Sequence, residues 1–161
     1  SHYVHGKRME VISGNPISPE CSTRCHKSIV MIQEERQLLI KRQVEKAHHF
    51  ISQADEMMSL GHTDLAVNRY YYACFHIVQA LFLQKGISVR THTGMSSQFS
   101  QHFVKTGIVS MEDGSLLARL FQLRQKADYN CAYDISVEEA KSLNEPVHRF
   151  VEKITTLIEK G

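Results

Sequence analysis

The chain has 161 residues, 42% hydrophobic and 22% charged, with a formal net charge of +2. That is ordinary globular composition, enough for one domain with a sizeable core and an appendage. No run approaches the roughly 18 consecutive apolar residues of a membrane span, and the small charge excludes a general nucleic-acid magnet.

The charge is unevenly spread. Residues 1–46 hold eight Lys/Arg against five Asp/Glu, and residues 47–161 hold eleven against twelve. A polyanion site in the main body would therefore be a local pocket. The N-terminus lacks the charged-then-apolar pattern of a secretory signal. Four cysteines, at 21, 25, 74 and 131, do not make a disulfide framework in such a chain. The expected compartment is the reducing cytoplasm, with no membrane partner.

In chain order, residues 1–20 show no period and are expected to be irregular. Ser22 is a candidate cap for a helix starting near Thr23. Helical spacing then runs through Ile29, Ile32, Arg36, Leu39 and Gln43, with no Gly or Pro between residues 20 and 60. From Val44 the stripe is Val44, Ala47, Ile51, Ala54, Met57 and Met58, with Gln53, Asp55 and Glu56 outside. Gly61 closes this helix as a C′ residue.

Thr63 or Asp64 opens the next helix, which Gly86 ends. Its run from Leu65 to Leu83 has almost no purely polar face, so it is packed on several sides. Yet it carries Asn68, Arg69, Tyr70, Tyr71, Tyr72, His76 and Gln79, and such groups need partners when buried.

Residues 86–93 read as a connector, and 94–106 as a shorter helix with Phe99, Phe103 and Val104. Thr91 or Thr93 is a candidate cap for it. Residues 112–114 read as a turn. The helix from Ser115 to about Asn130 has the stripe Leu116, Leu120, Leu123 and Ala127. Ser136 with Glu139 is a capping box. The last helix turns Ala140, Leu143, Val147, Phe150, Val151, Ile154, Leu157 and Ile158 inward. Pro146 predicts a kink or break near 142–146. The expected fold is all-α: an antiparallel up-and-down bundle of about five helices over 43–161, with an N-terminal extension over 1–42.

Four groups of residues could carry chemistry. Arg124 and Asp128 lie one turn apart, so they share a helix face. They form either a packed ion pair or a phosphate clamp, with Lys126 and Tyr129 beside it. Arg69, Tyr72 and His76 form a polar line on the apolar helix; they either fix register or face the Arg124 pocket. His92 lies on the connector, where a lone histidine is usually exposed. A zinc site at Cys21, Cys25 and His26 would need four ligands at workable spacing, and no second Cys/His pair follows. No metal and no cofactor are expected. P-loop, GxGxxG, GxSxG and HExxH motifs are absent.

The order Asn68-Arg69-Tyr70-Tyr71-Tyr72-Ala73-Cys74-Phe75-His76, Thr91-His92-x-Gly94, Phe103-Val104-Lys105-x-Gly107 and Leu123-Arg124-Gln125-x-Ala127-Asp128-Tyr129 resembles the HEPN domain family, named for higher eukaryotes and prokaryotes nucleotide-binding. It looks closest to the family's small stand-alone prokaryotic branch, over about residues 43–158. The resemblance implies a helical bundle that forms a homodimer. Many members are metal-independent ribonucleases, often toxins paired with a nucleotidyltransferase antitoxin. Their site is an Arg followed after four to six residues by His, with both copies in one interface cleft. Arg124 matches the Arg; Tyr129, Asn130 and Cys131 stand where the His belongs.

That departure matters, because a tyrosine with a pKa near 10 is a poor base at neutral pH. Two readings follow. In one, Arg124, Asp128, Tyr129 and His76 bind and process RNA or nucleotide, with Arg69, Tyr72, His92 and Lys126 helping to hold it. In the other, the bundle is a non-catalytic dimerisation or docking module for a nucleotidyltransferase.

Overall fold

The structure is a computed structural model that describes residues 19–130 and 132–161, with side chains described from residue 32 onward. Among the described residues there are five α-helices and no strand. They are α1 (Pro19–Ser59), α2 (Thr63–Lys85), α3 (His92–Phe99), α4 (Met111–Tyr129) and α5 (Val137–Lys160). None is long and apolar enough to cross a membrane. Residues Arg36–Gly161 form one compact unit.

Side-chain bonds between helices fix their directions. Asp55 meets Tyr70 and Gln43 meets His76, so α1 and α2 are antiparallel. Asp113 meets Lys153 and Arg119 meets Ser142, so α4 and α5 are antiparallel. Tyr70 meets Asn144 and Gln84 meets the Ile158 carbonyl, so α2 and α5 run parallel. The up-and-down bundle is therefore as expected. Among helices α2 to α5, the parallel pair α2 and α5 packs most extensively.

The apolar character of α2 has the expected consequence. Ala66, Val67, Tyr70, Tyr71, Ala73, Cys74, Ile77, Val78 and Leu81 are all buried, because α1, α4 and α5 cover different faces of this helix. On α1 the inward residues are Ile40, Ala47, Ile51 and Ala54, while Leu38 and Leu39 stay exposed. On α5 the expected stripe is buried, with Leu157 only partly covered.

Several boundaries differ from the sequence expectation. The first helix begins at Pro19, ahead of Ser22. Residues 112–114 are the first turn of α4, because Ser110 and Asp113 form a reciprocal capping box (3.0 and 3.3 Å). Gly114 fits inside that turn because a Cβ there would come within 2.9 Å of Val104. Ser136 does cap α5 through the Glu139 amide at 3.1 Å. The Glu139 carboxylate, however, accepts from the Tyr133 hydroxyl instead of closing a box. The break expected at Pro146 does not occur, and α5 runs through it. Buried Leu143, Val147 and Phe150 clamp the helix on either side of the proline. Ala127, expected inward, is exposed with all its neighbours from 125 to 130, because α4 outruns the helices it packs on after Leu123.

Candidate functional site

The site is built where α2, α3 and α4 meet. Gly86 ends α2 in the left-handed region at φ +72°, a conformation that suits glycine. The chain then returns to start α3 with Thr91 as its cap, accepting from the Gly94 amide at 2.9 Å. A Cβ on Gly94 would lie 2.9 Å from that same Thr91 oxygen. This tight turn makes His92 the first residue of α3 rather than a free connector residue. Its ring is half-buried, stacks on Phe75 at 4.8 Å and on Phe121 at 6.2 Å, and bonds through Nδ1 to the Tyr71 hydroxyl.

Arg124 projects from α4 onto the tyrosines of α2. Its guanidinium carbon sits 5.4 Å from the Tyr71 ring centroid and 5.3 Å from that of Tyr72. Each such contact contributes roughly 0.5–2 kcal/mol, rising with desolvation. The side chain is 24% exposed, and its pair with Asp128 is a single long contact at 3.5 Å. Its Nε is buried without a hydrogen-bond partner. The guanidinium is thus held by two aromatic rings and by little else, with donors in reserve.

Burial raises the Tyr71 phenol well above its ordinary pKa, although the Arg124 charge opposes this. Burial and then Arg124 lower the proton affinity of His92. At neutral pH both groups are therefore neutral. The Tyr71 proton has His92 as its partner, so the economical arrangement has Tyr71 donating to Nδ1. His92 then carries its own hydrogen on Nε2.

His76 is placed elsewhere. Its Nδ1–H donates to Gln43 Oε1 on α1 at 2.7 Å, and its ring stacks on Phe50 at 5.3 Å. It reaches Arg124 through the shared Tyr72 ring, which lies 6.2 Å from His76. Burial, helped by the Lys46 charge, pushes its pKa down to about 4. The unfolded chain takes up this proton near pH 6.5, and the folded chain resists until about 4. Stability from this group is therefore complete above pH 6.5 and is lost as pH falls toward 4, on the order of 1–2 kcal/mol after screening by partial exposure. Urea unfolding across this range is expected to show the loss, and His76→Gln to flatten it.

The other expected site residues are dispersed. Tyr72 faces Arg124 as described. Asp128 is close to half exposed, and Tyr129 is 86% exposed at the tip of α4. Lys126 lies over Tyr133 at 5.7 Å, away from the tyrosine pair. Arg69 caps Phe50 at 5.3 Å and has no acidic partner among the described residues. No cluster of His, Cys, Asp or Glu suited to a metal occurs among the described residues. The side chains of Cys21, Cys25 and His26 lie outside them.

Two features escaped the sequence reading. Tyr71 provides the second face of the Arg124 clamp, although three consecutive helical tyrosines necessarily point in three directions. The second is a polar cluster on the far side of α2. Asp55, expected outside, accepts from the Tyr70 hydroxyl at 3.0 Å and from Asn144 Nδ2 at 2.8 Å. Its other oxygen meets His148 Nε2 at 2.8 Å.

The sequence compares well with known proteins. Residues 40–157 match the HEPN domain. A UPF0332 protein of Thermotoga maritima is 34% identical over 125 residues, which is 78% of this chain and 95% of that one. A protein of Methanocaldococcus jannaschii named as a "putative toxin" is 32% identical over 114 residues, 71% of this chain and 78% of its own. A second archaeal protein of that organism, with the same description, is 36% identical over 89 residues, 55% of this chain and 66% of its own. With the helical bundle, the Arg124 motif and these matches in agreement, the chain belongs to the HEPN domain family.

Proposed function

We propose that this chain is a toxin-like HEPN protein that binds a phosphate group of RNA or nucleotide at Arg124, in a cleft completed by a second copy. The observation that carries this reading is the state of Arg124. A planar guanidinium is clamped by Tyr71 and Tyr72, is part exposed, and is only loosely paired with Asp128. Such a fork suits two oxygens of a phosphodiester. His92 Nε2–H adds a neutral donor from the adjoining helix. The exposed α4 tip from 125 to 130 supplies a surface for the second copy.

The same geometry favours binding over turnover. Cleavage by 2′-OH attack needs a base, and the His92 lone pair that would serve is taken by the Tyr71 hydroxyl. Tyr129, at the motif position, points into solvent at 86% exposure. The test is titration of the purified chain with labelled RNA, with and without Arg124→Gln. Wild-type binding that Arg124→Gln weakens by about ten- to a hundredfold supports the reading. An unchanged variant sinks it. Chelator-resistant RNA cleavage that His92→Ala abolishes would replace binding with catalysis.

The missing motif histidine and the exposed α4 tip also favour docking of a nucleotidyltransferase as a second reading. That reading predicts a stable complex that Tyr129→Ala disrupts and that forms without RNA.

A further inference from the structure

On the α1 side of the Arg124 clamp the aromatic surface continues. Phe50, Tyr72 and His76 form one cluster, each ring centroid within 6.2 Å of the other two. Arg69 and Tyr72 are three residues apart on α2, so they share a face. The Arg69 guanidinium caps Phe50 at 5.3 Å, as Arg124 caps Tyr72 at 5.3 Å. One step of 6.2 Å joins the two capped rings. The two guanidinium groups are therefore no further apart than these three steps end to end.

A third cation stands at the same cluster. Lys46 stands four residues before Phe50 on α1, so the two share a helix face. It is exposed, and among the described residues neither Lys46 nor Arg69 has an acidic partner within ion-pair distance. Arg69 makes one weak bond, to Asn68 at 3.4 Å. Three cations around one aromatic cluster repel one another, and among the described residues only Arg124 has an acidic partner within ion-pair distance, Asp128 at 3.5 Å. Arginine on an aromatic ring beside further positive charge is the arrangement by which single strands are held, through phosphates and stacked bases together.

We infer that Arg69, Lys46 and Phe50 form a second anion subsite beside Arg124, so that the ligand is a single-stranded oligonucleotide spanning both rather than a mononucleotide. The inference rests on the reading of Arg124 above and extends it. One phosphate occupies the Arg124 clamp. A later phosphate of the same strand lies against Arg69 and Lys46, with a base free to stack on the outer face of a guanidinium. A ligand with a single phosphate reaches only one of the two subsites.

The experiment measures binding of the full chain to a labelled uridine dinucleotide and a labelled uridine decanucleotide, at several salt concentrations. Arg69→Gln and Lys46→Gln are each expected to weaken the decanucleotide about tenfold and to reduce its salt slope by about 0.7. Both should leave the dinucleotide unchanged. Arg124→Gln should weaken both ligands. Arg69→Lys, which keeps the charge but loses the planar fork, should fall between wild type and Arg69→Gln. Thermal melting of each variant confirms that the fold is intact. If Arg69→Gln and Lys46→Gln bind the decanucleotide like wild type while Arg124→Gln does not, the second subsite is overturned and the Arg124 reading stands. If the wild type binds neither ligand, both fall.

Discussion

Tyr71→Ala is expected to destabilise the chain by about 3–5 kcal/mol, the range for deleting a buried aromatic ring. Tyr71 is 2% exposed in the core of α2. Its removal takes away one ring under Arg124 and the partner of His92 together. Tyr71→Phe separates these roles. The ring stays, so the cation–ring contact and the core packing stay. The hydroxyl goes, leaving a half-buried imidazole nitrogen without its donor, at about 1 kcal/mol. Urea unfolding of the two variants measures both numbers. Equal losses would mean that the hydroxyl, not the ring, dominates, and the clamp account of Arg124 would be wrong. Nitrogen chemical shifts of His92 report the proton position directly. Wild type should show the Nε2–H form, and Tyr71→Phe a mixture of the two neutral forms.

Asp55→Ala is expected to cost about 2–3 kcal/mol, more than an exposed surface acid would. One carboxylate ties together α1, α2 and α5 through Tyr70, Asn144 and His148. Tyr70 is fully buried, and burial, with Asp55 assisting, pushes its phenol up to about 12. Without Asp55 the Tyr70 hydroxyl and the Asn144 amide keep each other at 2.7 Å but lose their common acceptor. The His148 arm matters less, because both members of that pair are 40% exposed and screened. Tyr70→Phe should therefore cost about 1 kcal/mol. The Asp55→Ala/Tyr70→Phe double variant should cost clearly less than the two single losses added. Strict additivity would show that the cluster is a set of independent surface contacts.

The two sides of α2 divide the work. One side, with Asp55, Asn144 and His148, fastens the bundle. The other, with Tyr71, Tyr72 and His76, carries the cations. Several polar groups of α2, Asn68, Tyr72, His76 and Gln79, lie on one half-buried stripe of the helix. Tyr70, Tyr71 and His76 find hydrogen-bond partners on other helices, and Arg69 and Arg124 keep donors in reserve.

Periodicity alone determined much of this molecule. The helical stripe of α5, that of α1 from Ala47 to Ala54, and the left-handed glycine ends at Gly61 and Gly86 were legible because they depend on neighbours three and four residues apart. The motif order carried the family, and Arg124 with it. What the sequence could not decide were matters of which helix faces which. His76 and Tyr72 share a face of α2, yet His76 turns to Gln43 on α1 while Tyr72 turns to Arg124 on α4. His92 looked like a loose connector residue until the Thr91 cap and the Tyr71 hydroxyl fixed it. Asp55 looked like a solvent residue until α5 arrived beside it. In each case local spacing sets only a direction from one helix axis. The partner at the end of that direction comes from residues tens of positions away, and only the packed bundle selects it.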